Sequence, residues 1–165
     1  MNDTWHGFPV LPAGIQPNVP VLLSDADWKK RLTPFQFRVL RQEATEAACS
    51  GAYWNEHREG IYYSAATGQP LFSSDTKFES HSGWPSFYQP VTPDAVILRW
   101  DTSFGMHRIE VLDGASGSHL GHIFDDASDT PTGLRFCMNS EALIFVPTGA
   151  NDPDIVAFYR TEHPE

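Results

Sequence analysis

The chain has 165 residues, enough for one domain with a substantial core and no need of disulfide or metal support. Its formal net charge is −10, from 11 Lys and Arg against 21 Asp and Glu, so a phosphate backbone would be repelled and a nucleic-acid role is excluded. Two cysteines are too few for a secreted disulfide scaffold, and no apolar run approaches a membrane span.

MNDTWHGFPV at the start carries neither a basic n-region nor an apolar h-region, which makes the cytoplasm the default address. Pro and Gly are frequent up to residue 22, and the segment reads as an extended arm lying on the domain rather than as helix or strand. Residues 1–22 are thus set apart from a domain over 23–165. Ser24, with Asp27 at the third position, predicts a short helix over 25–31. Thr33, Pro34 and Gln36 combine an N-cap, a first-turn proline and a capping-box glutamine, for a second helix to about Glu43.

After Gly51 the texture changes. Short runs rich in Ile, Val, Tyr, Phe and Leu recur between Gly, Pro, Ser and Asp clusters, at 60–64, 70–72, 95–100, 107–112, 120–124, 134–140 and 143–146. The expected fold is mainly β with short N-terminal helices, an antiparallel arrangement in a single domain.

Two clusters carry chemistry. In GLRFCMNS (133–140), a strand period of two puts Arg135, Cys137 and Asn139 on one face, away from Phe136 and Met138. A lone strand cysteine is more often core filler, but a core cysteine has apolar neighbours, whereas an arginine and an amide on its face imply a cleft. A neighbouring cation also lowers a thiol pKa toward the reactive thiolate. In SHLGHIF (118–124), His119 and His122 are three apart, so on a regular strand they face opposite ways, and sharing a site requires a kink or bulge for which Gly121 is the candidate. They lack companions for a metal site and make better sense as proton donors near Cys137. SGWPSFYQP (82–90) sets Trp84 and Phe87 in a turn that is either packed or one wall of a pocket.

PLFSSDTKF (70–78), GWPSF (83–87), IEV (109–111), SHLGHIF and PTGLRFCMNS (131–140) occur in that order. Together they closely resemble the B-type methionine sulfoxide reductases over about 31–146. The resemblance implies a fold of rolled antiparallel sheets and an oxidoreductase, a peptide-methionine (R)-S-oxide reductase that repairs oxidised proteins or the free amino acid. A cysteine sulfenic acid would be recycled by a thiol reductant such as thioredoxin, with no cofactor. It also implies Cys137 as nucleophile, His122 with His119 as proton donors, Arg135 and Asn139 around the thiol, and Trp84 with Phe87 at the substrate. Two departures are plain. Ser64, Thr67, Asp113 and Ser116 stand where many members carry two zinc-binding CxxC pairs, so no metal is expected. Ser82 stands at the usual resolving cysteine, which leaves Cys49 in TEAACSG (45–51) as the candidate resolver.

From the residues alone, the thiol and imidazole pair also suits a Cys-His hydrolase or acyltransferase, and Trp84 suits a non-enzymatic sugar- or peptide-binding β-domain.

Overall fold

The computed structural model describes residues 3–163. The arm opens with β1 (Asp3–Trp5) and β2 (Phe8–Leu11), joined through His6 and Gly7, whose φ values of 49° and 84° are those of a type I′ hairpin turn. This corrects the sequence reading, in which proline and glycine obscured the pairing of Trp5 with Phe8. Val10 is fully buried, so the arm contributes to the core.

Helix α1 (Asp25–Arg31) starts where Ser24 accepts the Asp27 N–H, and α2 (Pro34–Gln42) begins with the complete Thr33 and Gln36 capping box. Such a cap stabilises a helix by about 1 kcal/mol. Next come β3 (Gly60–Ser64), β4 (Pro70–Ser73), and the two-residue strands β5 (Lys77–Phe78) and β6 (Ser86–Phe87), which are too short to show a period. The longer strands β7 (Val96–Asp101), β8 (Arg108–Asp113) and β9 (His119–Phe124) precede β10 (Arg135–Met138) and β11 (Leu143–Pro147). Helix α3 (Asp154–Glu162) ends the described chain and was not foreseen; one fully buried residue, Val156, anchors it against Tyr63 and Val146.

Two sheets result, an eight-stranded one in the order β1-β2-β7-β8-β9-β10-β6-β5 and a three-stranded one in the order β11-β3-β4. The fold is mainly β and forms a single domain, as expected. All pairings are antiparallel except β2 with β7, where Val10 lies opposite Leu98. Apolar side chains from both sheets and from α1 and α2 meet in one core, with Phe72, Phe87, Phe136, Tyr62 and Trp28 fully buried. Among the described residues, no helix is long and apolar enough to cross a membrane.

Two turns are clasped together by a carboxylate. Asp113 is fully buried and accepts from the Ser64 hydroxyl at 2.6 Å, the Ser116 hydroxyl at 2.7 Å and the Ser116 N–H at 2.8 Å. Ser118 N–H adds a fourth donor at 3.3 Å. Thr67 instead accepts from Gln69 N–H within its own turn.

Candidate active site

One transverse row of the large sheet organises the site. Arg99 on β7 lies opposite Glu110 on β8, Glu110 opposite His122 on β9, His122 opposite Cys137 on β10, and Cys137 opposite Ser86 on β6. Directly paired residues share a face, so these five side chains emerge on the same side. Phe136 and Met138 point into the core, as the strand period requires.

A bulge brings the two histidines together. Val111 pairs with Gly121 but Leu112 pairs with His119, so Leu120 is an extra residue in β9. Residues 110 and 112 share a face of β8, and their partners His122 and His119 therefore share one too. The rings meet edge to face, with centroids 5.3 Å apart. Gly121 is required here for closeness: a Cβ would lie 2.1 Å from the Cys137 carbonyl oxygen.

The thiol lies in a cleft of 320 Å³ lined by Thr45, Ser82, Trp84, Arg108, Gly121, His122, Phe124, Arg135, Cys137 and Asn139. Larger grooves of 490 and 720 Å³ run along Phe8 and Pro93 and hold no thiol. Ser82 Oγ stands 3.9 Å from Cys137 Sγ and belongs to a hydroxyl chain in which Ser80 bridges it to Ser86. Arg135 makes a two-pronged ion pair with Asp126, at 3.0 and 3.1 Å, and lies over the Phe124 ring. Its charge is thus shared. Burial pushes the Cys137 thiol above its ordinary pKa, and Arg135, Ser82 and Ser86 only partly oppose that. The expected lowering by a flanking cation is therefore outweighed by desolvation, and the resting group is the thiol.

His122 Nε2 donates to Asp101 Oδ2 at 2.7 Å, which leaves Nδ1 for the cleft. Burial lowers the His122 pKa, with Asp101 working the other way. Asp101 itself is desolvated, yet hydrogen bonds from Ser103 and His122 hold its carboxyl well below the usual carboxylate range. His119 sits behind His122, only 2 % exposed, with Nδ1 bonded to Glu110 at 3.0 Å. Asn139 is a framework residue. Its Oδ1 accepts from Glu46 N–H and its Nδ2 donates to the Leu120 carbonyl, both at 3.0 Å.

Trp84 leans on the cleft with its indole N–H donating to the Glu46 carbonyl at 3.0 Å. Removing the ring removes an apolar wall, and Trp84→Ala is expected to cost about 1–3 kcal/mol in kcat/KM, mainly through substrate positioning. Steady-state kinetics check this; an unchanged kcat/KM would take Trp84 out of the pocket. Phe87, in contrast, is not at the cleft. It is fully buried, stacked on Phe72 at 4.5 Å, because its alternate position on β6 points away from the face that carries Ser86. Cys49 is exposed, and its N–H donates to the Gly83 carbonyl at 2.7 Å, beside Ser82. Gly83 has φ +89°, and a Cβ there would come within 3.1 Å of Cys49 Sγ.

A family model described as the SelR domain matches residues 32–147. The chain belongs to the MsrB family. It is 55 % identical over 128 residues to the "Peptide methionine sulfoxide reductase MsrB" of Leptospira interrogans, covering 78 % of this chain and 97 % of that protein. The protein of the same name from Agrobacterium fabrum is 48 % identical over 124 residues, 75 % of this chain and 91 % of that one. "Methionine-R-sulfoxide reductase B3, mitochondrial" of Mus musculus is 42 % identical over 147 residues, 87 % of this chain and 58 % of the mouse protein.

In this MsrB chain the predicted Trp84, His122, Arg135, Cys137 and Asn139 line one cleft, His119 supports it from behind, Cys49 borders the loop carrying Ser82, and Phe87 is core. Asp101, Arg108, Thr45, Glu46 and the serines at 80 and 86 were missed. A sequence signal existed only for Asp101, which precedes the turn residues Thr102 and Ser103 at the end of a predicted strand.

Proposed function

We propose that Cys137 is the nucleophile of a peptide-methionine (R)-S-oxide reductase acting on oxidised proteins or free methionine sulfoxide. The observation that carries the reading is the row that sets the Cys137 thiol directly beside His122, in a cleft walled by Trp84. Cys137 Sγ attacks the sulfoxide sulfur, while its proton passes through His122 Nδ1 to the sulfoxide oxygen. The hydroxyl so formed then passes from the substrate sulfur to Sγ as the S–O bond and the new S–S bond break, methionine leaves as the thioether, and Cys137 is left as the sulfenic acid. The thiol loses two electrons and the sulfoxide gains two. Asp101 keeps His122 in the productive tautomer, Arg135 stabilises negative charge developing on the thiol, and Trp84 packs against the substrate methyl group.

Acyl transfer fits less well. The N–H groups that follow the thiol, of Met138 and Asn139, already donate to the Pro85 and Leu120 carbonyls, so no oxyanion hole is made by that stretch of backbone.

This member is of the type without the zinc-binding CxxC pairs. Its four corner positions fit a metal poorly: they supply no thiolate, and the Asp113 carboxylate is occupied by serine donors. Residues 1–22 form an arm on a reductase domain of 23–165. Both cysteines are free thiols, the state that a reducing cytoplasm maintains.

For recycling, Cys49 resolves the sulfenic acid, and a thioredoxin-like protein reduces the resulting disulfide. In support, Cys49 is tethered to Gly83, next to the serine that touches Cys137. Each sulfoxide epimer supplied separately, with thioredoxin or with dithiothreitol, tests the reading. Turnover of the R epimer alone is expected. Cys49→Ser should keep dithiothreitol-driven turnover and lose most of the thioredoxin-driven rate; a normal thioredoxin rate would assign Cys49 to packing.

A further inference from the structure

Glu110 is a buried carboxylate in the middle of the sheet, 3 % exposed, and the reaction as written above makes no use of it. A buried charge is costly unless it is paired, and both oxygens of Glu110 are taken: Oε2 by His119 Nδ1 at 3.0 Å and Oε1 by Arg99 Nε. Arg99 in turn reaches Glu43 at the end of α2, at 2.8 Å. A continuous line of charged and ionisable groups therefore runs from Glu43 and Arg99 through Glu110 and His119 to the edge of the His122 ring.

We propose that Glu110 is a positioning residue of this reaction: from the place directly opposite His122, its carboxylate holds His119 against the His122 ring and keeps the shared proton on the Cys137 and His122 pair. The inference rests on the reductase reading of the cleft.

Three observations support it. The bulge at Leu120 is what turns His119 onto the face of Glu110, so an irregularity in the strand serves this contact. His119 Nε2 is buried and has no hydrogen-bond partner among the described residues, so the ring is fixed through Nδ1 and Glu110. Glu110 is also the sole carboxylate in the row between Arg99 and Cys137, and it lies one strand from His122. Burial opposes its ionisation, yet the His119 and Arg99 hydrogen bonds keep its pKa below the ordinary value. Glu43 moves the other way, raised by burial and by Glu110 itself.

The sign of the effect is fixed by the surroundings. The groups facing His122 are Asp101 from β7, Glu110 and Arg108 from β8, His119 from β9, and Cys137 and Arg135 from β10, while Arg99 from β7 and Glu43 and Arg41 from α2 lie one step further, against Glu110 and His119. The reactive form holds one proton between thiol and imidazole, and both limbs of the rate profile belong to that pair. A carboxylate nearby helps the pair keep its proton. Removing that charge moves both limbs to lower pH, whereas removing the Arg99 cation moves both to higher pH.

The test is the single-turnover rate of methionine release from the R sulfoxide, measured without reductant across pH on the full chain. Glu110→Gln, nearly isosteric, should shift both limbs down by about one pH unit, and Arg99→Gln should shift them up. Limbs that stay in place, with the rate merely lowered throughout, would reduce Glu110 to a packing role and overturn the proposal. Should Glu110→Gln fail to fold, the direction of the Arg99→Gln shift decides, and no shift or a downward one overturns it. Wild-type chain that releases no methionine would instead remove the reductase reading on which the inference stands.

Discussion

Cys137→Ser is expected to lose sulfoxide reduction by more than about a thousandfold with any reductant, while keeping the fold. The hydroxyl fits the space of the thiol among Ser82 and Ser86, but it cannot accept the oxygen atom, and its nucleophilicity toward sulfur is far too low. Neighbours change little, because Ser82 Oγ lies 3.9 Å from Sγ and a serine hydroxyl can join the same hydroxyl chain. Thermal melting should therefore stay within about 1 kcal/mol of wild type. Measured turnover with dithiothreitol, alongside the melt, separates lost chemistry from lost structure. Appreciable activity in a folded variant would sink the mechanism.

Asp113→Ala is expected to be the most damaging single substitution for stability, costing about 3–5 kcal/mol. The methyl group would leave the Ser64 and Ser116 hydroxyls and the Ser116 and Ser118 N–H groups without their acceptor, inside a region where none is exposed. Ser118 Oγ and the Arg41 guanidinium, at 3.0 Å from each other, would lose the framework they rest on. Because these turns are held by hydrogen bonds, chelators should leave the melting temperature unchanged. Chemical denaturation of the variant and a melt of wild type in chelator check the two halves. Zinc purified stoichiometrically at these four positions, with unfolding on its removal, would contradict the account.

Local signals in the sequence carried well where one residue's chemistry decides an element. Ser24 and the Thr33 and Gln36 box placed both N-terminal helices, and β-branched and aromatic runs placed seven of the eight strands that are four or more residues long, β2 being the exception. The strand period also put Arg135 and Cys137 on one face. Features made by pairing at a distance were not legible. Which of the two strand faces each histidine takes depends on the extra residue Leu120, visible only through its partners on β8. The role of Asp101 arises from its reach across the sheet to His122, and that of Glu110 from its register with it. The arm hairpin hid in His6 and Gly7, a turn signal masked by nearby prolines, and Phe87 looked like a pocket residue because neighbouring Trp84 is one.

The central claim is that the oxygen of methionine-R-sulfoxide ends on Cys137. One equivalent of that substrate, added to Cys49→Ser chain without reductant and followed by trapping and peptide mass spectrometry, measures this directly. The account predicts one methionine released per chain and one oxygen atom gained on the Cys137 peptide alone, with neither seen for the S epimer. Methionine released while the Cys137 peptide stays unoxidised would contradict it.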